Sequence, residues 1–228
     1  MKIVMLGLSI TSAWGNGHAT TYRALARGLG TRGHDVLFLE RDVRWYAKNR
    51  DLPAPPYCRV RLYRHLDELR QLHTHAIEDA HLVMVGSYVP QGNAVAEHVL
   101  RTAGGCAAFY DIDTPVTLRA LEQHGTANYL DRAQVPRFDL YLSFTGGPTL
   151  QRLERAFEAI RRKRLPHANL PRQGRTEFLQ VRRSLNDSDR LPDGKNSHQR
   201  PRRASTWVNQ AGRLIGTLKL PKLVETRN

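Results

Sequence analysis

Two cysteines, Cys58 and Cys106, are all that the 228 residues contain, so no disulfide framework supports the fold. That scarcity fits a reducing compartment, and a cytoplasmic location is expected. Long apolar runs are missing as well. None approaches the roughly 18 residues a membrane-crossing helix needs, which excludes a helical span. The opening Met1-Lys2 followed by Ile3 to Ile10 is short enough for a signal peptide, yet a glycine-rich turn and an amphipathic helix follow at once, as they do after a first core strand. Aromatic residues thin out late in the chain, with only Phe178 and Trp207 after Phe157.

Acidic residues are scarce in the same place. The formal charge of +14 looks like a nucleic-acid signature, but residues 1–155 hold 18 Lys and Arg against 15 Asp and Glu, a net of +3. The basicity therefore belongs to the last 73 residues, which hold 17 against 6, a net of +11. Only 22 of those 73 positions are apolar, against about 45% of the first 155. A core can be built in the first part alone. Residues 158–228 are expected to be a basic tail of low order, with the run Arg161-Arg162-Lys163-Arg164 and scattered prolines. Its arginines could meet phosphate backbones, but the interleaved aromatics of a single-strand platform are lacking, so a solvated basic segment is the preferred reading.

What is present up to about residue 157 is one theme repeated: an apolar run of five to eight residues, then a helical pattern. This is the mark of βαβ units in a parallel sheet. Strands are expected at Ile3 to Leu8, Asp35 to Glu40, Arg59 to Tyr63, Leu82 to Ser87, Ala107 to Ile112 and Leu140 to Phe144. They read as nearly continuous apolar runs, as strands covered on both faces do. Ala19, Tyr22, Ala26 and Leu29 share a helical face, and Gly33 supplies a stop. Further helices fit Leu66 to Ala80, Ala94 to Thr102 and Val116 to Gln123. The expected architecture is a doubly wound α/β domain, whose ligands bind at the carboxyl ends of the strands where the strand order reverses.

The loops to search are therefore those after Leu8, Ser87, Ile112 and Phe144. The first reads Trp14-Gly15-Asn16-Gly17-His18-Ala19-Thr20-Thr21 and leads into a helix. Gly15 and Gly17 would let the backbone approach a ligand closely, and the helix start favours an anionic or hydroxylated group. A tight turn without a ligand is the plainer reading. A dinucleotide fingerprint would need a third glycine where Thr20 stands, although Glu40 ends the second strand where an acidic residue could bind a ribose. An oxidoreductase using a nicotinamide or flavin cofactor is thus one alternative.

His18 is the sharper feature. At the first turn of a helix it would feel the positive end of the dipole, stay neutral near pH 7, and be able to take a proton from a hydroxyl. An orienting carboxylate would come from Asp111-Ile112-Asp113-Thr114-Pro115. Strand alternation would point Asp111 and Asp113 the same way, one to hold His18 and the other to touch substrate. Alternatively, Asp113 caps the helix that opens at Thr114-Pro115. Tyr88 after the fourth strand and Gly146, Gly147 and Thr149 after the sixth are expected loop contacts on the same crevice. The stretch His73-Thr74-His75 invites a metal reading, but on a helix the two imidazoles diverge, so no metal is expected.

Taken as a set, Trp14-Gly15-Asn16-Gly17-His18-Ala19-Thr20-Thr21-Tyr22-Arg23, Arg32-Gly33-His34-Asp35-Val36, Tyr110-Asp111-Ile112-Asp113-Thr114-Pro115 and Ser143-Phe144-Thr145-Gly146-Gly147 resemble glycosyltransferases of the GT-B fold, in the CgeB-like branch. The resemblance covers residues 1–157. It implies a Rossmann-like acceptor-side domain, catalysis in a cleft without a bound metal or resident cofactor, a nucleotide-sugar donor as co-substrate, and His18 at the position of a base. It also implies a second, donor-binding domain, and nothing in 158–228 reads as one. A truncated product, weakly active or inactive alone, is the expected consequence. The partners implied are a sugar acceptor and, once a second domain is supplied, the donor. A non-enzymatic protein that binds nucleic acid through the tail is the other alternative.

Overall fold

The computed structural model describes residues 1–145, 148–149 and 151–156, together with the backbone of 177–180. The chain runs β1 (Lys2–Gly7), α1 (His18–Gly30), β2 (Asp35–Arg41), the single turn α2 (Arg44–Ala47), β3 (Arg59–Tyr63), α3 (Leu66–Glu78), β4 (Leu82–Gly86), α4 (Gly92–Thr102), β5 (Cys106–Asp111) and α5 (Thr114–His124). A small antiparallel hairpin, β6 (Thr126–Ala127) with β7 (Leu130–Asp131), precedes β8 (Leu140–Ser143), and β9 (Glu177–Gln180) comes last.

Seven strands form one parallel sheet in the order β3-β2-β1-β4-β5-β8-β9. Its first six members have the order of a doubly wound, Rossmann-like sheet, and all six stand where the apolar runs put them. The seventh was not foreseen. β9 lies where no further strand was expected, and it pairs with β8 from Leu140↔Glu177 to Ser143↔Gln180. The reason lies in β8: three of its four residues are buried, and a buried strand needs partners for the backbone groups on its open side. The other tail calls, including the basic run at 161–164, lie outside the described residues.

Residues alternate between two apolar layers. On one face Tyr22, Ala26 and Leu29 of α1 pack on Ile3, Met5 and Phe38. On the other, Leu69 of α3, Val95 of α4 and Leu118 of α5 pack on Val4, Leu6 and Val85. Helices on both faces explain why the inner strands β1, β2, β4 and β5 lack a polar side. The stop of α1 matches its signal: Gly33 holds φ +77° and its N–H reaches the Gly30 carbonyl at 2.9 Å.

One contact fixes how α1 sits on the sheet. The Tyr22 ring, fully buried between Phe38 and Tyr110, fills a notch left by two glycines on neighbouring strands. A Cβ on Gly86 would lie 1.7 Å from the Tyr22 hydroxyl, and one on Gly7 2.7 Å from its Cζ. Gly86→Ala is therefore expected to destabilise the fold by about 2 kcal/mol through overpacking. Tyr22→Phe, which removes the clashing oxygen, should recover part of that loss. Urea denaturation of both single variants and the double variant measures it; additive losses would show that the two positions do not meet.

Candidate active site

The sheet's direction of winding reverses between β1 and β4, and the carboxyl ends of those strands are where ligands of such sheets bind. The loop after β1 is held from below by Glu40 at the end of β2. Its carboxylate is fully buried and accepts four hydrogen bonds, from Ser9 Oγ at 3.0 Å, Ile10 N at 2.6 Å, Thr11 N at 3.0 Å and Thr11 Oγ1 at 2.6 Å. This corrects the reading of Glu40 as a ribose ligand, because its oxygens are already committed to the loop. From the side, Arg23 pairs both guanidinium nitrogens with Asp51 at 2.8 Å and gives its Nε to the Ile10 carbonyl. The Arg23 partner holds the Asp51 carboxyl well below the usual range, and Asp51 also accepts from Ala13 N at 2.9 Å.

Above these braces the loop turns through Gly15, at φ +64°, a conformation that favours glycine. Asn16 is spent on the turn itself. Its Nδ2 donates to the Ser12 and Trp14 carbonyls, and its Oδ1 accepts from Ala19 N at 3.1 Å, which satisfies one of the first N–H groups of α1. Gly17 is exposed and nothing lies within 4 Å of where its Cβ would be, so the backbone here is open to an incoming group. Thr20 is exposed one turn further on.

His18 is the first residue of α1 and is partly buried. Burial lowers its pKa, and the nearby Asp113 charge offsets part of that shift. The imidazole is thus neutral near pH 7, with burial as the cause. Its Nδ1 is buried and has no hydrogen-bond partner among the described residues. No aspartate among the described residues holds it directly. Instead Tyr88 stands between the two: its ring meets the imidazole edge-to-face with centroids 5.0 Å apart, and its hydroxyl donates to Asp113 Oδ2 at 3.2 Å.

Asp113 occupies the N-cap position of α5, but its side chain makes no cap bond there. Its carbonyl starts the helix, accepting from Val116 N and Thr117 N, and its carboxylate faces Tyr88. Asp111 goes elsewhere, which corrects the expectation that the two carboxylates share a face. β5 ends at Asp111, so strand alternation no longer applies two residues on. The Asp111 carboxylate is fully buried, taking Tyr141 OH at 2.6 Å, Thr117 Oγ1 at 2.8 Å and Asp113 N at 3.2 Å. Burial pushes its pKa up to about 6 despite those bonds. It supports the crevice without lining it. Thr114 is likewise buried, its hydroxyl 2.6 Å from Ser143 Oγ, and ties α5 to β8. Thr149 is partly buried, whereas Gly146 and Gly147 lie outside the described residues.

No family model matches the chain, and no curated protein matches it. Among the described residues, no group of three or more His, Cys, Asp or Glu side chains could hold a metal ion, the His73 and His75 stretch included. No described helix is long and apolar enough to cross a membrane. The residues that sequence reasoning passed over are the braces: Arg23, Asp51, Thr117, Tyr129 and Tyr141. The cluster of hydroxyls in Ser9-Ile10-Thr11-Ser12, opposite an acidic strand end, was the available signal for Glu40.

Proposed function

We propose that this chain is the acceptor-side domain of a glycosyltransferase that moves a sugar from a nucleotide-sugar donor to an acceptor hydroxyl, with His18 as the base. The observation that carries the reading is a neutral imidazole at the start of α1, at the switch point of the sheet, with one carboxylate, Asp113, near enough to favour its charged form. The sequence resemblance over residues 1–157 supplies the reaction class. In that reaction the acceptor oxygen forms a bond to the donor's anomeric carbon while its proton passes to His18. The bond from that carbon to the nucleotide diphosphate breaks, and the diphosphate leaves with the electron pair. Asp113 favours the imidazolium that results. The saturation of Glu40 weighs against the dinucleotide alternative, which needs a free acceptor at that strand end.

The test is a transfer and hydrolysis assay with UDP-, GDP- and dTDP-sugars on this chain alone and fused to a donor-binding lobe. The fused form is expected to turn over and the chain alone to do little, since the groups for the departing diphosphate belong to the donor side. His18→Ala should lower the fused form's rate by about 10²- to 10⁴-fold. An unchanged rate would remove His18 from the chemistry, and no turnover or nucleotide-sugar binding in either form would end the reading.

A further inference from the structure

The turn after β4 contains two residues in the left-handed region, Tyr88 at φ +64° and Gln91 at φ +56°. For a bulky side chain that conformation costs about 1 kcal/mol or more, and it persists only where the surroundings impose it. They do so from three sides. Ser87 receives Ile112 N on its Oγ at 3.1 Å and gives its own N–H to the Tyr110 carbonyl, locking the turn to the end of β5. Arg41, at the end of β2, donates to Gln91 Oε1 at 2.9 Å. Tyr129 lies against the Tyr88 ring with centroids 4.6 Å apart, and its own hydroxyl is 2.7 Å from Thr117 Oγ1.

What this strained turn achieves is the placement of one ring. Tyr88 projects into the space between α1 and the start of α5, so that its face or edge meets His18 while its hydroxyl meets Asp113. We infer that Tyr88 is the positioning residue through which Asp113 acts on His18. The ring fixes the imidazole, and the hydroxyl anchors the carboxylate at a distance from which its charge favours protonation without a direct bond. Such an arrangement leaves both ring nitrogens free of a carboxylate bond, so that either can meet a ligand proton. The charge that bears on His18 is that of Asp113, from the α5 start, and the ring is from the β4–α4 turn; Gly17 and Asn16, the neighbours on its own loop, carry none.

The inference rests on the reading of His18 as a base for its meaning, but its test reads the imidazole itself. NMR titration of the full chain with labelled histidine follows the His18 ring through pH 4 to 8. Tyr88→Leu is expected to shift the His18 pKa by about half a unit, because the imidazole loses the ring packed against it and Asp113 loses its anchor. Asp113→Asn should lower it. In a Tyr88→Phe background, where the carboxylate has lost its anchor, the Asp113→Asn shift should differ clearly from that in the wild type. Equal shifts in the two backgrounds, or an unmoved His18 pKa in Tyr88→Leu, would overturn the inference; near-UV circular dichroism confirms that each variant is folded. If the shifts appear and no sugar transfer does, the Tyr88 link stands and the transferase reading falls. If His18→Ala abolishes transfer and the shifts are absent, the reverse holds.

Discussion

Glu40→Ala is expected to remove on the order of 4 kcal/mol of stability, measured by urea denaturation at pH 7, because four buried donors lose their acceptor together. That is a large share of the 5 to 15 kcal/mol typical of a domain, so the variant should unfold at a far lower urea concentration or fail to accumulate. Glu40→Gln gives the discriminating result. Its amide oxygen can still accept from Ile10 N and Thr11 N, and its NH₂ can donate to Ser9 and Thr11, whose hydroxyls rotate to accept. A loss of about 1 kcal/mol is expected for it. Were Gln as damaging as Ala, the negative charge would be what matters, and the account by hydrogen-bond geometry would be wrong.

The second large effect is a pH dependence set by Asp111. Burial raises its pKa from the ordinary 3.8 to about 6, so between those values the folded chain binds a proton that the unfolded chain has released. The associated stability is present in full below about pH 4 and is lost as pH rises through about 6. Its size is about 3 kcal/mol. Asp51 and Glu97, whose carboxyls are held low by arginines, act in the opposite sense in more acidic solution; Asp51 is exposed and Glu97 partly so. The informative quantity is therefore the difference between wild type and Asp111→Asn. Relative to the variant, the wild type should lose about 3 kcal/mol from pH 4 to 7. A flat difference would mean that Tyr141 and Thr117 compensate the buried charge in full.

The sheet was legible in the sequence because its inner strands, β1, β2, β4 and β5, are covered on both faces and so show as nearly unbroken apolar runs. β9 was not, since Glu177-Phe178-Leu179-Gln180 has only two apolar residues in a basic, polar context, and its pairing depends on the open side of β8. At the site, Gly15 and His18 were readable from the strand–turn–helix pattern. The roles of Glu40, Asp111 and Thr114 were not, because which polar group ends up buried depends on donors brought from distant segments. The parity argument for Asp111 and Asp113 failed at one point only: it extended a strand two residues beyond its end. Nor could Tyr88 be recognised as strained, since a left-handed tyrosine has no signature in composition or period.

The notch between Gly7 and Gly86 has a consequence for His18. Tyr22 follows His18 by four positions on α1 and so stands on the same side, one turn deeper. Whatever locates that phenol also locates the imidazole, as a dowel sets the angle of a shaft. The aim of the proposed base is thus governed by two hydrogen atoms on adjacent ribbons that no ligand would ever touch. A displacement of about 1 Å there is enough to misalign a reacting pair by a hundredfold in rate. Under the proposed function, position 86 should then behave as a kinetic determinant in disguise, altering turnover at temperatures where the protein is still intact.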